Sequence, residues 1–186
     1  MPGKRIVYTI GHSNRPIEEF IELLEENKIE LLVDVRTVPR SRANSQFNKD
    51  ELPRTLKKYG IDYLHMPTLG GLRSRPKGAP PSHNTAWENA SFRNYADYAE
   101  TEAFREGLNE LIAHARKQRT CYMCAEAVWW RCHRRIITDY MLARGMKVMH
   151  IMALGKVTEA EMNDDAAQHK DGTITYPGDQ QELELR

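Results

Sequence analysis

Leu31-Leu32-Val33-Asp34-Val35-Arg36 is the stretch on which the fold turns. It is nearly continuous in apolar residues and too short for a helix, the pattern of a strand covered on both faces. Such a strand needs helices above and below it, so its neighbours in sequence should alternate between helix and strand. They do. On the amino-terminal side, Arg5 to Ile10 is a β-branched and aromatic run that stops at Gly11, a strand by composition. Pro16 suits the first turn of a helix, Glu18 and Glu19 suit its positive end, and Ile17, Phe20, Ile21 and Leu24 share one face. On the other side, Lys49 to Tyr59 reads as a short helix ended by Gly60, and Ile61 to His65 as a third strand. Thr101 caps a helix whose face is Phe104, Leu108, Leu111, Ile112 and Ala115. Thr120 to Ala125 is a fourth strand, Arg131 to Arg144 a helix ended by Gly145, and Lys147 to Met152 a fifth strand. This alternation predicts one α/β domain with a mostly parallel five-stranded sheet and helices on both faces, doubly wound (Rossmann-like), with right-handed crossovers and the strand order open.

Two regions break the rhythm. Met66 to Ala90 holds Pro67, Pro76, Pro80 and Pro81 with Gly70, Gly71 and Gly78, a long loop of the kind that serves as a lid or binding loop. After Leu154 the chain turns polar, so the α/β domain is expected over 1–155 and an acidic tail over 156–186, with one short strand at Thr173–Tyr176. A length of 186 residues, with 40% apolar and 28% charged side chains, suits one globular domain. No apolar run is long enough to span a bilayer, and the first residues lack the features of a signal peptide, so a cytoplasmic location and no membrane partner are expected. Charge is uneven: 34–77 carries ten Lys/Arg against four Asp/Glu, and 156–186 carries three against eight. A basic middle suits an anionic ligand as well as an ordinary solvated face.

In an open parallel sheet, ligands bind at the carboxyl ends of the strands. Four polar segments fall there: Gly11-His12-Ser13, Asp34-Val35-Arg36, Leu69-Gly70-Gly71-Leu72-Arg73 and Cys124-Ala125-Glu126. Gly11, His12 and Ser13 precede a helix start, where free N–H groups favour an anion; a tight turn with Ser13 as helix cap is the alternative. Asp34 and Arg36, two apart, share a face and form either a structural ion pair or part of a site. Arg36, Arg40, Arg42, Arg73 and Arg75 could together grip a phosphate or carboxylate. Cys121 and Cys124 lie an odd offset apart on one strand and face opposite ways, which leaves Cys121 as a small core residue and argues against a shared metal. Cys124 and Glu126 can point together. Cys132 and His133 sit near the start of the next helix, where Arg131 and Arg134 would favour a thiolate; burial or capping is the alternative. Trp129 and Trp130 are expected in the core.

Taken together, Thr9-Ile-Gly11-His12-Ser13, Asp34-Val-Arg36-Thr-Val-Pro39-Arg-Ser41, Leu69-Gly70-Gly71, Cys124-Ala-Glu126 and Cys132-His133-Arg134 resemble the family catalogued as domain of unknown function 488. The likeness runs from about Ile6 to Ile151 and implies a bacterial or archaeal type of cytoplasmic α/β protein; it supplies no activity. It fails in the tail, where the family pattern has a Pro-His pair and this chain reads Lys156-Val-Thr-Glu-Ala-Glu161, with His169 the nearest substitute.

The leading expectation is a small enzyme with a crevice for a phosphate- or carboxylate-bearing ligand, a nucleotide or modified base among them. Gly11, His12, Ser13, Asp34, Arg36, Gly70, Gly71, Arg73 and Arg134 would hold that ligand. Glu126 would be the general acid/base, Cys124 or Cys132 the nucleophile or redox group, and His133 an orienting group. A second expectation is zinc or iron held by Cys124, Cys132, His133 and either His12 or Glu126. A nucleic-acid-binding module using the basic 36–77 segment ranks last, since no recognised motif supports it.

Overall fold

The computed structural model describes residues 5–178. Its strands are β1 (Ile6–Gly11), β2 (Leu31–Asp34), β3 (Asp62–His65), β4 (Thr120–Cys124), β5 (Lys147–Ala153) and β6 (Lys156–Glu159), with a separate hairpin of β7 (Ala167–Gln168) and β8 (Ile174–Thr175). The helices are α1 (Ile17–Glu26), α2 (Leu52–Lys57), α3 (Ala90–Tyr98), α4 (Glu102–Lys117) and α5 (Arg134–Ala143). The main sheet has the order β3-β2-β4-β1-β5-β6 and is parallel except for the β5–β6 pair. The five expected strands are all present. The sixth was not anticipated: β6 turns back on β5 within the stretch read as an acidic tail.

The alternation of side chains along each strand divides the core into two layers. Phe20, Ile21, Leu23 and Leu24 of α1 and Leu52 and Leu56 of α2 pack on Ile10, Leu32, Cys121 and Met123. On the other face, Tyr95 of α3, Phe104 and Leu111 of α4 and Ile136 and Met141 of α5 pack on Val7, Val33, Tyr122, Cys124 and Val148. Cys121 and Cys124 thus face opposite ways, as their odd offset requires. Each fully buried aliphatic side chain contributes about 1.5–3 kcal/mol.

The two-layer arrangement also locates the site. From β1 the chain passes through α1 toward the β3 edge; from β4 it passes through α5 over β1 to β5. Right-handed crossovers running in opposite directions must lie on opposite faces. The adjacent carboxyl ends of β1 and β4 are therefore the topological switch point, where the helices diverge and leave a hollow.

Two departures matter for that hollow. The loop expected over 66–90 ends in an unanticipated helix, α3, whose start is capped by Asn89 accepting from the backbone amides of Ser91 and Phe92. The loop itself is pinned to the helices: the Tyr95 hydroxyl donates to Leu69 O at 2.8 Å and the Tyr98 hydroxyl to Thr68 O at 2.6 Å. Beyond β6, Ile174 and Tyr176 are buried, and the Tyr176 hydroxyl donates to Asp139 at 2.8 Å, so 156–178 packs onto the sheet layers. The rest of the expected tail, 179–186, lies outside the described residues. Among the described residues no helix is long and apolar enough to cross a membrane.

Candidate functional site

The ends of β1 and β4 are locked together by backbone. His12 N–H donates to Cys124 O at 3.0 Å and Ser13 N–H to Ala125 O at 2.9 Å. A Cβ on Gly11 would collide with the backbone carbonyl of Glu126, so only glycine lets the strands close here. These two amides are engaged and do not form the anion cradle expected of a helix start. Nor does Ser13 cap α1: it turns the chain with a φ of 50°, and Pro16 occupies the cap position.

Behind this clamp lies a buried polar network. Arg36 grips Asp34 with one edge of its guanidinium, Nε to Oδ1 at 2.8 Å and Nη2 to Oδ2 at 2.7 Å, and donates from Nη2 to Phe47 O at 2.6 Å. Tyr63 donates its hydroxyl to Asp34 Oδ2 at 2.5 Å. His12 Nδ1 meets Ser13 O at 2.7 Å, and a carbonyl only accepts, so Nδ1 carries the proton and Nε2 accepts from Arg36 Nη1 at 3.2 Å. Burial, with the Arg36 charge adding to it, brings the His12 pKa down to about 4. Its ring stacks on Phe47 at 4.4 Å. Asp34 and Arg36 form a buried ion pair, which leaves one N–H of Arg36, a residue that borders the hollow, without a partner among the described residues.

The thiols sit in front of it. The sulfurs of Cys124, at the end of β4, and Cys132, just before α5, adjoin each other across the hollow. Arg134 Nε donates to Cys124 Sγ at 3.0 Å, while Nη1 donates to Thr9 Oγ1 at 3.0 Å and Nη2 to Glu126 O at 2.8 Å. Arg134 is 1% exposed, and no carboxylate among the described residues is within ion-pair reach of it. Burial lowers its pKa to about 10, so it stays charged at neutral pH. A buried cation without an anion is costly. Of the atoms its guanidinium hydrogen-bonds, only the Cys124 sulfur can carry a negative charge, as a thiolate; the Glu126 carboxylate acts on it from beyond ion-pair distance.

Cys132 has its own partners. His133 Nε2 lies 2.8 Å from Val35 O and must donate to it, which leaves Nδ1 as an acceptor 3.3 Å from Cys132 Sγ. Burial lowers the His133 pKa to about 4, so the acceptor form persists at neutral pH. The Arg134 backbone N–H, at the start of α5, also points at Cys132 Sγ, 3.5 Å away. Gly71 packs against the His133 ring, where a Cβ would stand 2.6 Å from Nδ1.

These groups border a cleft of about 430 Å³ lined by Arg36, Thr37, Gly71, Leu72, Asn89, Phe92, Cys124, Glu126, Arg131, Cys132 and His133. Of the nine expected ligand residues only Arg36 and Gly71 line it; Gly11, Ser13 and Asp34 belong to the clamp and network behind. Arg134 is sealed behind Cys124. Arg73 hydrogen-bonds Gly70 O and Pro67 O and stacks on Tyr98, bordering a neighbouring cavity of about 510 Å³ that Arg75 also lines. Gly70 packs on Thr37, and His12 lies behind Arg36. Glu126 is exposed at the mouth rather than buried; its backbone carbonyl is the part held by Arg134. Arg131, exposed, makes no side-chain hydrogen bond or ion pair among the described residues. Trp130 is exposed, contrary to expectation, and Trp129 stacks on His150 at 4.7 Å. Among the described residues no three His, Cys, Asp or Glu side chains gather to hold a metal ion. Of the expected set, His133 Nε2 is taken by Val35 O and His12 Nε2 by Arg36. His169 pairs with Thr175 on the β7–β8 hairpin.

The model of a family described as Domain of unknown function DUF488 matches residues 16–141, more than half the chain. The chain belongs to this family. No curated protein and no solved structure matches it. The DUF488 match takes in Asp34, Arg36, Gly71, Cys124, Glu126, Cys132, His133 and Arg134, while Thr9, Gly11, His12 and His150 lie beyond its ends.

Two residues behind the cleft, Thr9 and His150, were given no role in the sequence reading. Thr9 Oγ1 accepts from Arg134 Nη1 and shares a hydrogen bond with His150 Nδ1, 2.6 Å away; burial lowers the His150 pKa to about 3. Both are polar residues in the middle of buried strands. That interruption was the one signal that could have found them.

Proposed function

We propose that the cleft at the switch point is the active site of a small thiol-dependent enzyme acting on a phosphate- or carboxylate-bearing ligand. Cys124, held as a thiolate by Arg134, is the nucleophile. The buried guanidinium donating to its sulfur at 3.0 Å, with no carboxylate among the described residues within ion-pair distance, is the observation that carries this reading. Arg131 and the remaining Arg36 N–H attract the anionic group, and exposed Glu126 at the mouth exchanges protons as general acid/base. Leu72 and Phe92 give an apolar wall to a cleft of about 430 Å³, dimensions that suit a nucleotide or modified base.

Alkylation of the reduced protein tests both parts. Free thiolates prefer neutral iodoacetamide to anionic iodoacetate. At pH 7, Cys124 is expected to alkylate faster than a thiol of the unfolded chain, and the preference for iodoacetamide is expected to shrink by about tenfold, one charge-assisted contact. Arg131→Ala should restore it. Alkylation no faster than in urea removes the thiolate; equal reagent preference in both proteins removes the anion site.

A further inference from the structure

We propose that Cys124 and Cys132 form a reversible redox pair: a hydroperoxide oxidises Cys124, and Cys132 resolves the product as a disulfide. The proposal rests on the reading of Cys124 as a thiolate and adds an oxidant class and a second thiol to it.

Four observations carry it. The two sulfurs already adjoin each other across the cleft. The third cysteine, Cys121, faces the opposite layer and cannot compete. The two members of the pair have partners suited to different roles, with a permanent cation on Cys124, and on Cys132 a neutral imidazole nitrogen and a helix-start amide. Finally, Cys124 is 2% exposed and Cys132 5%, although both line the cleft, which admits a small oxidant and excludes a bulky disulfide that must present its sulfur in line.

In the first step the Cys124 thiolate attacks the terminal oxygen of the hydroperoxide. The O–O bond breaks, an S–O bond forms, and the departing alkoxide or hydroxide takes up a proton and leaves as alcohol or water. Cys124 is then a sulfenic acid. In the second step Cys132 attacks the Cys124 sulfur. Its proton passes to the displaced hydroxyl group, which leaves as water, and the S–S bond closes. The two thiols have lost two electrons and the peroxide has gained them. With its thiolate gone, Arg134 faces a neutral disulfide, and this uncompensated charge favours reopening. A dithiol supplied from solution reverses the oxidation by two exchanges, leaving itself oxidised.

The experiment uses the full chain, reduced and then freed of reductant. One equivalent of hydrogen peroxide should protect Cys124 and Cys132 from a maleimide, give a peptide linking them, and lose both changes on addition of dithiothreitol. Cys132→Ser should instead accumulate a sulfenic acid on Cys124, trapped by dimedone, and Cys124→Ser should give neither product. Oxidation in the Cys132→Ser background should slow about tenfold when Arg134 is also replaced by Gln, and remain closer to the parent rate with Lys. A Cys124 that alkylates as a thiolate yet gives no dimedone adduct and no linked peptide overturns the redox pair and leaves the proposed function standing. A Cys124 that fails to alkylate as a thiolate overturns both.

Discussion

Replacing Arg134 with Met should raise the Cys124 thiol pKa by about one to two units, because charge-assisted hydrogen bonds contribute about 1.5–3 kcal/mol and one unit is 1.36 kcal/mol. The geometry fixes the scale. At the observed Nε–Sγ distance of 3.0 Å, Coulomb attraction at an effective dielectric of 20 is about 5–6 kcal/mol. Desolvating a sulfur that is 2% exposed opposes it, which brings the net effect into the charge-assisted range. The assay is the rate of iodoacetamide alkylation against pH in a Cys132→Ser background, where no disulfide can form. Cys121 stays silent, since burial pushes its thiol far above the usual range. Met fills the space left by the arginine stem but leaves Thr9 Oγ1 and Glu126 O without their donor, so circular dichroism and a melting curve accompany each titration. Arg134→Lys, which keeps the charge, should recover part of the shift. Identical titration midpoints in a folded Arg134→Met protein and its parent would refute the reasoning, because the guanidinium would then be a packing element only.

Two further outcomes follow from the same charges. Asp34→Asn removes one partner of a buried ion pair and leaves Arg36 facing a neutral amide; the expected loss is about 3–5 kcal/mol in urea unfolding, and a loss below about 1 kcal/mol would show that Tyr63 and Phe47 hold Arg36 unaided. Acid should destabilise the protein before most carboxylates titrate. His12 and His133 have folded pKa values of about 4 against 6.5 unfolded, so the unfolded chain binds protons that the native state refuses. Stability is then full above pH 6.5 and falls by about 3 kcal/mol per histidine as pH drops to about 4, and equal urea midpoints at pH 7.5 and 4.5 would contradict it.

The strand pattern was legible because the central strands are covered on both faces and are therefore mostly apolar, as Leu31 to Val33 are. The opposite placement of Cys121 and Cys124 followed from the period of two, and the Asp34–Arg36 pairing from the same rule. What stayed hidden depended on where a turn aims. Between Cys124 and Cys132 the chain makes a loop and a 3-10 turn at Trp129–Arg131, and no periodicity tells how far it doubles back. β6 was masked by its polar composition, since an antiparallel edge strand with one solvated face needs little apolar surface. The amides of His12 and Ser13 looked free because helix starts usually leave theirs free; the β4 carbonyls that engage them are over a hundred residues away in sequence.

Arg134 shows why a basic residue beside a cysteine is ambiguous in sequence and decisive in three dimensions. Arg131 and Arg134 flank the same thiol and sit three residues apart, close to one helical turn, yet one is exposed at the cleft and the other is 1% exposed behind it. The difference lies at the start of α5. Arg131 belongs to the preceding 3-10 turn and escapes to solvent, whereas Arg134 opens the helix and is directed onto the β1–β4 junction, where Thr9 Oγ1, Glu126 O and Cys124 Sγ lie within reach. A cation so placed cannot bind a ligand from solution, and it would lower stability if the one chargeable group it hydrogen-bonds stayed neutral. Its presence therefore makes most physical sense if Cys124 spends its reduced state as a thiolate, which links the fold of this junction to the reactivity of one sulfur.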